Sequence, residues 1–203
     1  MQNKAQCGCT GNINITGCRL SYYPMSNDYV NIILDAVKDV DSSKVYSKTD
    51  LFSTMYRGSQ SYVVHTAKQL FTNAYHKDIH SVCELTFSKG CPGDVDADVI
   101  IQENELDNLD VKTDDSFLVH AKYSFYVFGD NDYMKEIMYI VELANKYNLK
   151  PTSDHYVTLL TGSAKDMFDY FNEVLSYSFK NLNHYVLEAT LSVNSPSLKG
   201  ETL

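Results

Sequence analysis

No stretch of this 203-residue chain approaches the run of roughly 20 apolar residues that a membrane-spanning helix needs. Direct membrane insertion is therefore not expected. The start, Met1-Gln2-Asn3-Lys4-Ala5-Gln6, lacks the apolar core of a signal peptide. Cysteines number five, an odd count with no C-x-x-C pair. That argues against a disulfide framework and fits a reducing cytoplasm. Cys7 and Cys9 stand without a histidine or a second cysteine pair, so no metal and no cofactor are expected. A glycine-rich phosphate cradle is missing, which favours an unphosphorylated ligand. Lys and Arg total 17 against 26 Asp and Glu, and no basic surface interleaves with aromatics, which argues against nucleic acid as a partner.

What the chain does contain is one unit, twice. Residues 27–92 reappear at 131–196, shifted by 104 positions without a gap, and 15 of the 66 aligned pairs are identical. Unrelated chains of ordinary composition would give roughly 4. Upstream of the first helix the shift is 103, aligning Arg19-Leu20-Ser21-Tyr22-Tyr23 with Lys122-Tyr123-Ser124-Phe125-Tyr126. The net charge of −9 is also unevenly placed: Asp94 to Asp115 holds nine acidic residues and one Lys, a net of −8, leaving −9 − (−8) = −1 elsewhere. The expected organisation is a tail over 1–14, a first repeat over 15–93, a solvated acidic linker over 94–115 and a second repeat over 116–198.

Within the unit, Arg19 to Tyr23 alternates and ends at Pro24, which predicts a strand. A helix follows, capped by Ser26 or Asn27, with Tyr29, Ile32, Ile33, Ala36, Val37 and Val40 on one face. Short strands near 45–48 and 52–57 flank a turn at Thr49-Asp50. A second helix opens at Gly58-Ser59, with its stripe at Val63, Val64, Ala67, Leu70, Phe71 and Ala74, and a last strand runs from His80 to Ser88. The order βαββαβ places two helices on one face of a four-stranded antiparallel sheet, an α+β unit.

Period-2 parity then sorts the faces. Cys83, Leu85 and Phe87, with Leu187, Ala189 and Leu191, should meet the helices. The other parity carries His80, Val82, Glu84, Thr86 and Ser88, all identical in the second copy as His184, Val186, Glu188, Thr190 and Ser192. Met55 and Leu159 are read as inward. Thr54 and Thr158 are then outward, with Phe52/Tyr156 and Tyr56/Leu160. Arg19, Ser21 and Tyr23, and Lys122, Ser124 and Tyr126, complete the open face. With the first strand between the third and fourth, this mixture suits a flat, heteroatom-bearing ring: aromatics stack on it while hydroxyls and a carboxylate read its edge.

Bland readings compete at each position. Glu84 and Glu188 accept from a ligand amine or are surface carboxylates. Thr54, Thr86, Thr158 and Thr190 bond a ring or merely suit a strand. His80 and His184 line a pocket or serve as caps and interface residues. Tyr23 and Tyr126 stack on a ligand or on a second subunit. Asp50 binds ligand or, more simply, makes a turn. Ser59 and Ser163 read as helix N-caps. Cys91 has Ser195 as its counterpart and no evident base, so catalysis is not expected.

Several stretches carry a resemblance. They are Arg19-Leu20-Ser21-Tyr22-Tyr23-Pro24-Met25, Lys48-Thr49-Asp50-Leu51-Phe52-Ser53-Thr54, Arg57-Gly58-Ser59, Phe87-Ser88-Lys89-Gly90-Cys91-Pro92-Gly93-Asp94 and Asn194-Ser195-Pro196-Ser197. In order and spacing the chain resembles the YkoF-type thiamin/hydroxymethylpyrimidine-binding family. The resemblance implies tandem ferredoxin-like (ACT-type) units, a homodimer, and a pocket per unit for thiamin or its pyrimidine, in salvage or uptake, with no known catalysis. Arg19, Ser21, Tyr23, Asp50, Thr54, His80 and Thr86 match the pattern. The second copy departs at Lys122, at Leu160 and at Asn-Ser-Pro-Ser, which implies unequal sites. The expectation is a thiamin or hydroxymethylpyrimidine binder whose ligands lie on the open faces, closed over by the other copy or the other subunit. A transporter or salvage enzyme stands open as its handover partner. The rival expectations are an ACT-like regulatory module sensing another small molecule and, last, a salvage enzyme using Cys91 or His80.

Overall fold

The computed structural model describes residues 15–89, 114–129 and 132–197. The first copy runs β1 (Thr16–Pro24), α1 (Tyr29–Lys38), β2 (Tyr46–Thr49), β3 (Thr54–Gly58), α2 (Gln60–Asn73) and β4 (Ser81–Lys89). The second runs β5 (Leu118–Phe128), α3 (Tyr133–Leu143) with a 3-10 turn over Ala144–Tyr147, β6 (Thr152–Asp154), β7 (Val157–Ser163), α4 (Ala164–Asn181) and β8 (His184–Val193). Each copy is thus a βαββαβ unit, with its first strand between its third and its fourth.

The two sheets do not remain separate. β4 and β8 pair antiparallel from Ser81↔Val193 to Ser88↔Val186, giving one eight-stranded sheet in the order β2-β3-β1-β4-β8-β5-β7-β6. Each strand would otherwise be an edge with unpaired backbone groups; joining them satisfies both ladders. The second copy therefore extends the sheet beside the first. Within the chain it does not close over the first copy's open face, which corrects that part of the expectation.

All four helices share one side. Cys83, Leu85, Phe87, Leu187 and Leu191 are at most 1% exposed and meet α2 and α4 there. The full predicted stripe of α2 is buried, as are Met167, Phe168, Phe171, Val174 and Leu175 of α4. The two central helices pack on each other through Phe71 and Phe168, whose ring centroids are 5.6 Å apart. Gln60 Nε2 adds a polar clip, donating to the Asn172 carbonyl at 2.8 Å and to Asn172 Oδ1 at 2.9 Å. Buried hydroxyls find acceptors: Tyr22 donates to the Ala74 carbonyl at 2.9 Å and Tyr170 to the Ile140 carbonyl at 3.1 Å. Ser163 caps α4 by accepting from Asp166 N at 3.0 Å. The entry to β5 is held by a stack of Phe117 on Tyr75 (3.6 Å between centroids) and by the Lys68–Asp115 ion pair at 2.7 Å.

The outer helices differ from their sequence reading. In α1 only Ile32 and Ala36 are buried, while Tyr29 and Val37 are exposed. In α3 Ile140 and Leu143 are buried and Tyr133 is exposed. These helices lie at the ends of the layer and meet one neighbouring helix each, so a narrow stripe suffices. The identical pair Gly58/Gly162 marks a close approach. A Cβ at Gly58 would come within 3.3 Å of the Lys44 carbonyl, and one at Gly162 would collide with the Leu149 side chain.

Because the buried cluster runs unbroken through both copies, they should unfold as one unit. Phe171→Ala is expected to cost about 3–5 kcal/mol and to shift a single urea transition, followed by circular dichroism and tyrosine fluorescence. Two separated transitions would show that the copies fold independently.

Candidate functional site

The open face is set by register. Directly opposed residues on an antiparallel pair share a face. Ser21 lies opposite Glu84, Glu84 opposite Thr190, and Thr190 opposite Lys122. One row along, Arg19 lies opposite Thr86, Thr86 opposite Glu188, and Glu188 opposite Ser124. The structure thus brings together eight of the candidates in two adjacent rows over the four central strands. Glu84 and Glu188 sit diagonally across the β4–β8 seam, each on the exposed side. Tyr23 (48% exposed) and Tyr126 (46%) stand at opposite ends of this patch. The Tyr23 hydroxyl leans to Glu84 Oε2 at 3.4 Å, a long contact.

Third-strand parity is the main correction. Leu20 pairs with Thr54 and Tyr123 with Thr158, so both threonines face the helices. Thr158 is buried, and the Thr54 hydroxyl is 2.9 Å from that of Thr49. Met55, opposite Arg19, and Leu159, opposite Lys122, are on the open face instead. The reading failed because both parities of this strand carry a large apolar residue, Met55 next to Tyr56 and Leu159 next to Leu160. Alternation then has nothing to distinguish. Tyr56 and Leu160, expected outward, are 3% and 1% exposed.

The histidines belong to the seam. His80 Nε2 is 3.2 Å from Ser192 Oγ, and His184 Nδ1 is 2.8 Å from the Lys89 carbonyl oxygen. They lie at opposite ends of the β4–β8 ladder, about 13 Å along their strands from the glutamates. Among the described residues no group of three or more His, Cys, Asp or Glu is placed to hold a metal. Cys18 and Cys83 are buried free thiols, both pushed up by desolvation. Cys7, Cys9 and Cys91 lie outside the described residues, as does the linker over 94–113.

The two copies present different versions of the patch. In the first, Arg19 Nη1 donates to Asp50 Oδ2 at 2.6 Å and to Ser53 Oγ at 2.7 Å. Ser21 Oγ donates to the Phe52 carbonyl at 2.8 Å. Asp50 also makes the turn, its Oδ1 accepting from Phe52 N at 2.8 Å and Ser53 N at 3.0 Å. The 50–53 loop is therefore clamped onto the patch, with Phe52 81% exposed on its rim. In the second copy Lys122 makes no ion pair among the described residues, and Ser124 Oγ meets the Tyr156 carbonyl only at 3.4 Å. An open hollow of about 330 Å³ remains there, lined chiefly by Lys122, Ser124, Val157, Glu188 and Thr190, together with Glu84 and Thr86. Tyr156, on its rim, is 98% exposed with φ +66°. A left-handed aromatic carries strain of about 1–2 kcal/mol.

An eight-stranded sheet made of two βαββαβ units, one face covered by helices and the other polar with a ligand-sized hollow, defines a tandem ferredoxin-like α+β protein. The chain belongs to the YKOF-related family, whose pattern matches residues 15–94 and 118–198. It is 35% identical, over 93% of its own length and 95% of the relative's, to the "Putative HMP/thiamine-binding protein YkoF" of Bacillus subtilis (strain 168). Among solved structures, the hypothetical protein MJ1052 from Methanocaldococcus jannascii shares 22% identity over 42% of this chain and 88% of its own, with a TM-score of 0.38.

Two outcomes follow from this geometry. Asp50, held down to about 2 by the Arg19 hydrogen bond first and the Phe52 and Ser53 amides next, should titrate near that value by NMR. A depressed carboxyl stabilises the fold above its unfolded value and loses that contribution as pH falls through about 2. Arg19→Gln should move the midpoint back toward 3.8; an unchanged midpoint would contradict the clamp. Separately, Tyr156→Asn should raise stability by about 0.5–1 kcal/mol by relieving the left-handed strain. A lowered urea midpoint would show that Tyr156 is held by its surroundings.

Proposed function

We propose that the open sheet face binds thiamin or its hydroxymethylpyrimidine moiety. The observation that carries this reading is the hollow at β5 and β8, where Ser124, Thr190 and Glu188 converge. Its volume of about 330 Å³ is at the lower end for small-molecule sites and suits a ring-sized ligand. An aminopyrimidine offers ring nitrogens that accept from hydroxyls and an amine that donates to a carboxylate, and these side chains supply both complements. Glu188 also favours a cationic thiazolium by Coulomb attraction. Tyr156 on the rim, and Phe52 and Tyr23 in the first copy, are placed to stack on a ring or cover it.

One site per repeat is the reading the duplication supports, with repeats over 15–93 and 116–198 around an acidic linker. The sites would be unequal: the first is closed down by the Arg19–Asp50 clamp, and the second is open beside Lys122. A homodimer that lays a second open face over the first would shield both from water. The protein would act in the cytoplasm by recognition, without bond-making, in thiamin salvage or uptake. The similarity to a relative named for HMP and thiamine binding supports the ligand class.

Isothermal titration calorimetry with thiamin, and in parallel with hydroxymethylpyrimidine, is the test. The expected result is saturable binding that approaches two ligands per chain in unequal steps. Ser124→Ala combined with Glu188→Gln should weaken the step belonging to the second copy at least tenfold, since a hydrogen bond to a charged group is worth about 1.5–3 kcal/mol. No heat and no thermal stabilisation with either compound would overturn the reading and favour a module that senses another small molecule.

A further inference from the structure

The hollow does not lie within one copy. It reaches across the seam from β7 to β4, and its wall includes Glu84 and Thr86 of the first copy. Resting on the ligand class proposed above, we infer that the site of the second copy is composite. The first copy's last strand lends Glu84 and Thr86 to it as specificity-determining residues, and the reciprocal pair, Glu188 and Thr190, serves the first copy.

Register makes this arrangement unavoidable. The β4–β8 ladder has a local two-fold axis at Leu85↔Ala189, about which Glu84↔Thr190 and Thr86↔Glu188 exchange. A ligand seated over Ser124 and Glu188 has Thr86 as the next side chain in that row. One seated over Lys122 and Thr190 has Glu84 as the next. Strands are about 4.8 Å apart, so one ring spans two strands and its substituents reach a third. The two carboxylates also share this surface with a single lysine, Lys122, so that they outnumber the cation there. Arg19 is committed to Asp50, and among the described residues neither glutamate forms an ion pair. A ligand amine or cation in either position therefore has one carboxylate in its own row and the other diagonally across the seam, about 7–8 Å away, one supplied by each copy.

The chain contains no tryptophan, which permits a site-specific reading. Tyr156→Trp puts a single tryptophan on the rim of the second copy's hollow, and Phe52→Trp puts one on the exposed loop beside the first copy's clamped patch. With the Tyr156→Trp reporter, thiamin titrated into the full-length chain should bind threefold to tenfold more weakly when Glu84→Gln is added. Glu188→Gln should do the same to the Phe52→Trp signal. Glu84 and Glu188 are exposed, so thermal midpoints should hold and confirm that the fold is intact. Unchanged affinity at Tyr156→Trp after Glu84→Gln, with thiamin still bound, would show a self-contained second site and overturn this inference while leaving the ligand class standing. A failure of thiamin and hydroxymethylpyrimidine to bind the unsubstituted chain would instead overturn the ligand class, and the inference with it.

Discussion

Everything distinctive in this molecule depends on the β4–β8 ladder. Two βαββαβ units, each with a modest core, would expose much of their surface alone. By pairing their last strands they align their helix-covered faces on one side, so that α2 and α4 meet and a single core forms. The same pairing aligns the two polar faces. The ladder thus creates the buried interior and the uninterrupted open surface in one step. It also converts two vulnerable edge strands into the best-paired strands of the sheet.

The sequence disclosed a great deal of this. A repeat with a constant shift is visible without structure, and the strict alternation of Cys83, Leu85 and Phe87, echoed by Leu187, Ala189 and Leu191, left one orientation for the last strands. The stripes of α2 and α4 were equally clear because these helices are buried along their whole inner face. The joining of the two sheets was not legible, since backbone hydrogen bonds between edges leave no side-chain pattern. Third-strand parity was lost where Met55-Tyr56 and Leu159-Leu160 put apolar residues on both faces. The histidines were ambiguous for a related reason: an identical pair at the start of β4 and β8 marks a shared environment, and that environment is the seam.

Electrostatics separate the two copies more than their fold does. Arg19 uses one guanidinium nitrogen to hold both Asp50 and Ser53, so the 50–53 loop is drawn onto the sheet. Lysine at 122 is a point charge on a flexible stem, and Val157 stands where Ser53 offers its hydroxyl in the first copy. One basic-for-basic exchange thereby accompanies the difference between a clamped loop and an open hollow. Tyr156 stays outward in the second copy, in a backbone conformation that few aromatic residues adopt.

The local two-fold at Leu85↔Ala189 also bears on how the duplicated halves are able to drift apart. A side chain on β4 meets β8, so a change there alters the surroundings of both halves at once. A change on an outer strand is felt by one half only. The open face shows this gradient: His80/His184, Val82/Val186, Glu84/Glu188, Thr86/Thr190 and Ser88/Ser192 are identical across the seam, whereas on that same face Gly17 with Arg57 have become His120 with Thr161. On the open face the inner strands behave as text written once for two readers, while their core-facing positions, Cys83/Leu187, Leu85/Ala189 and Phe87/Leu191, have changed with the packing of each half.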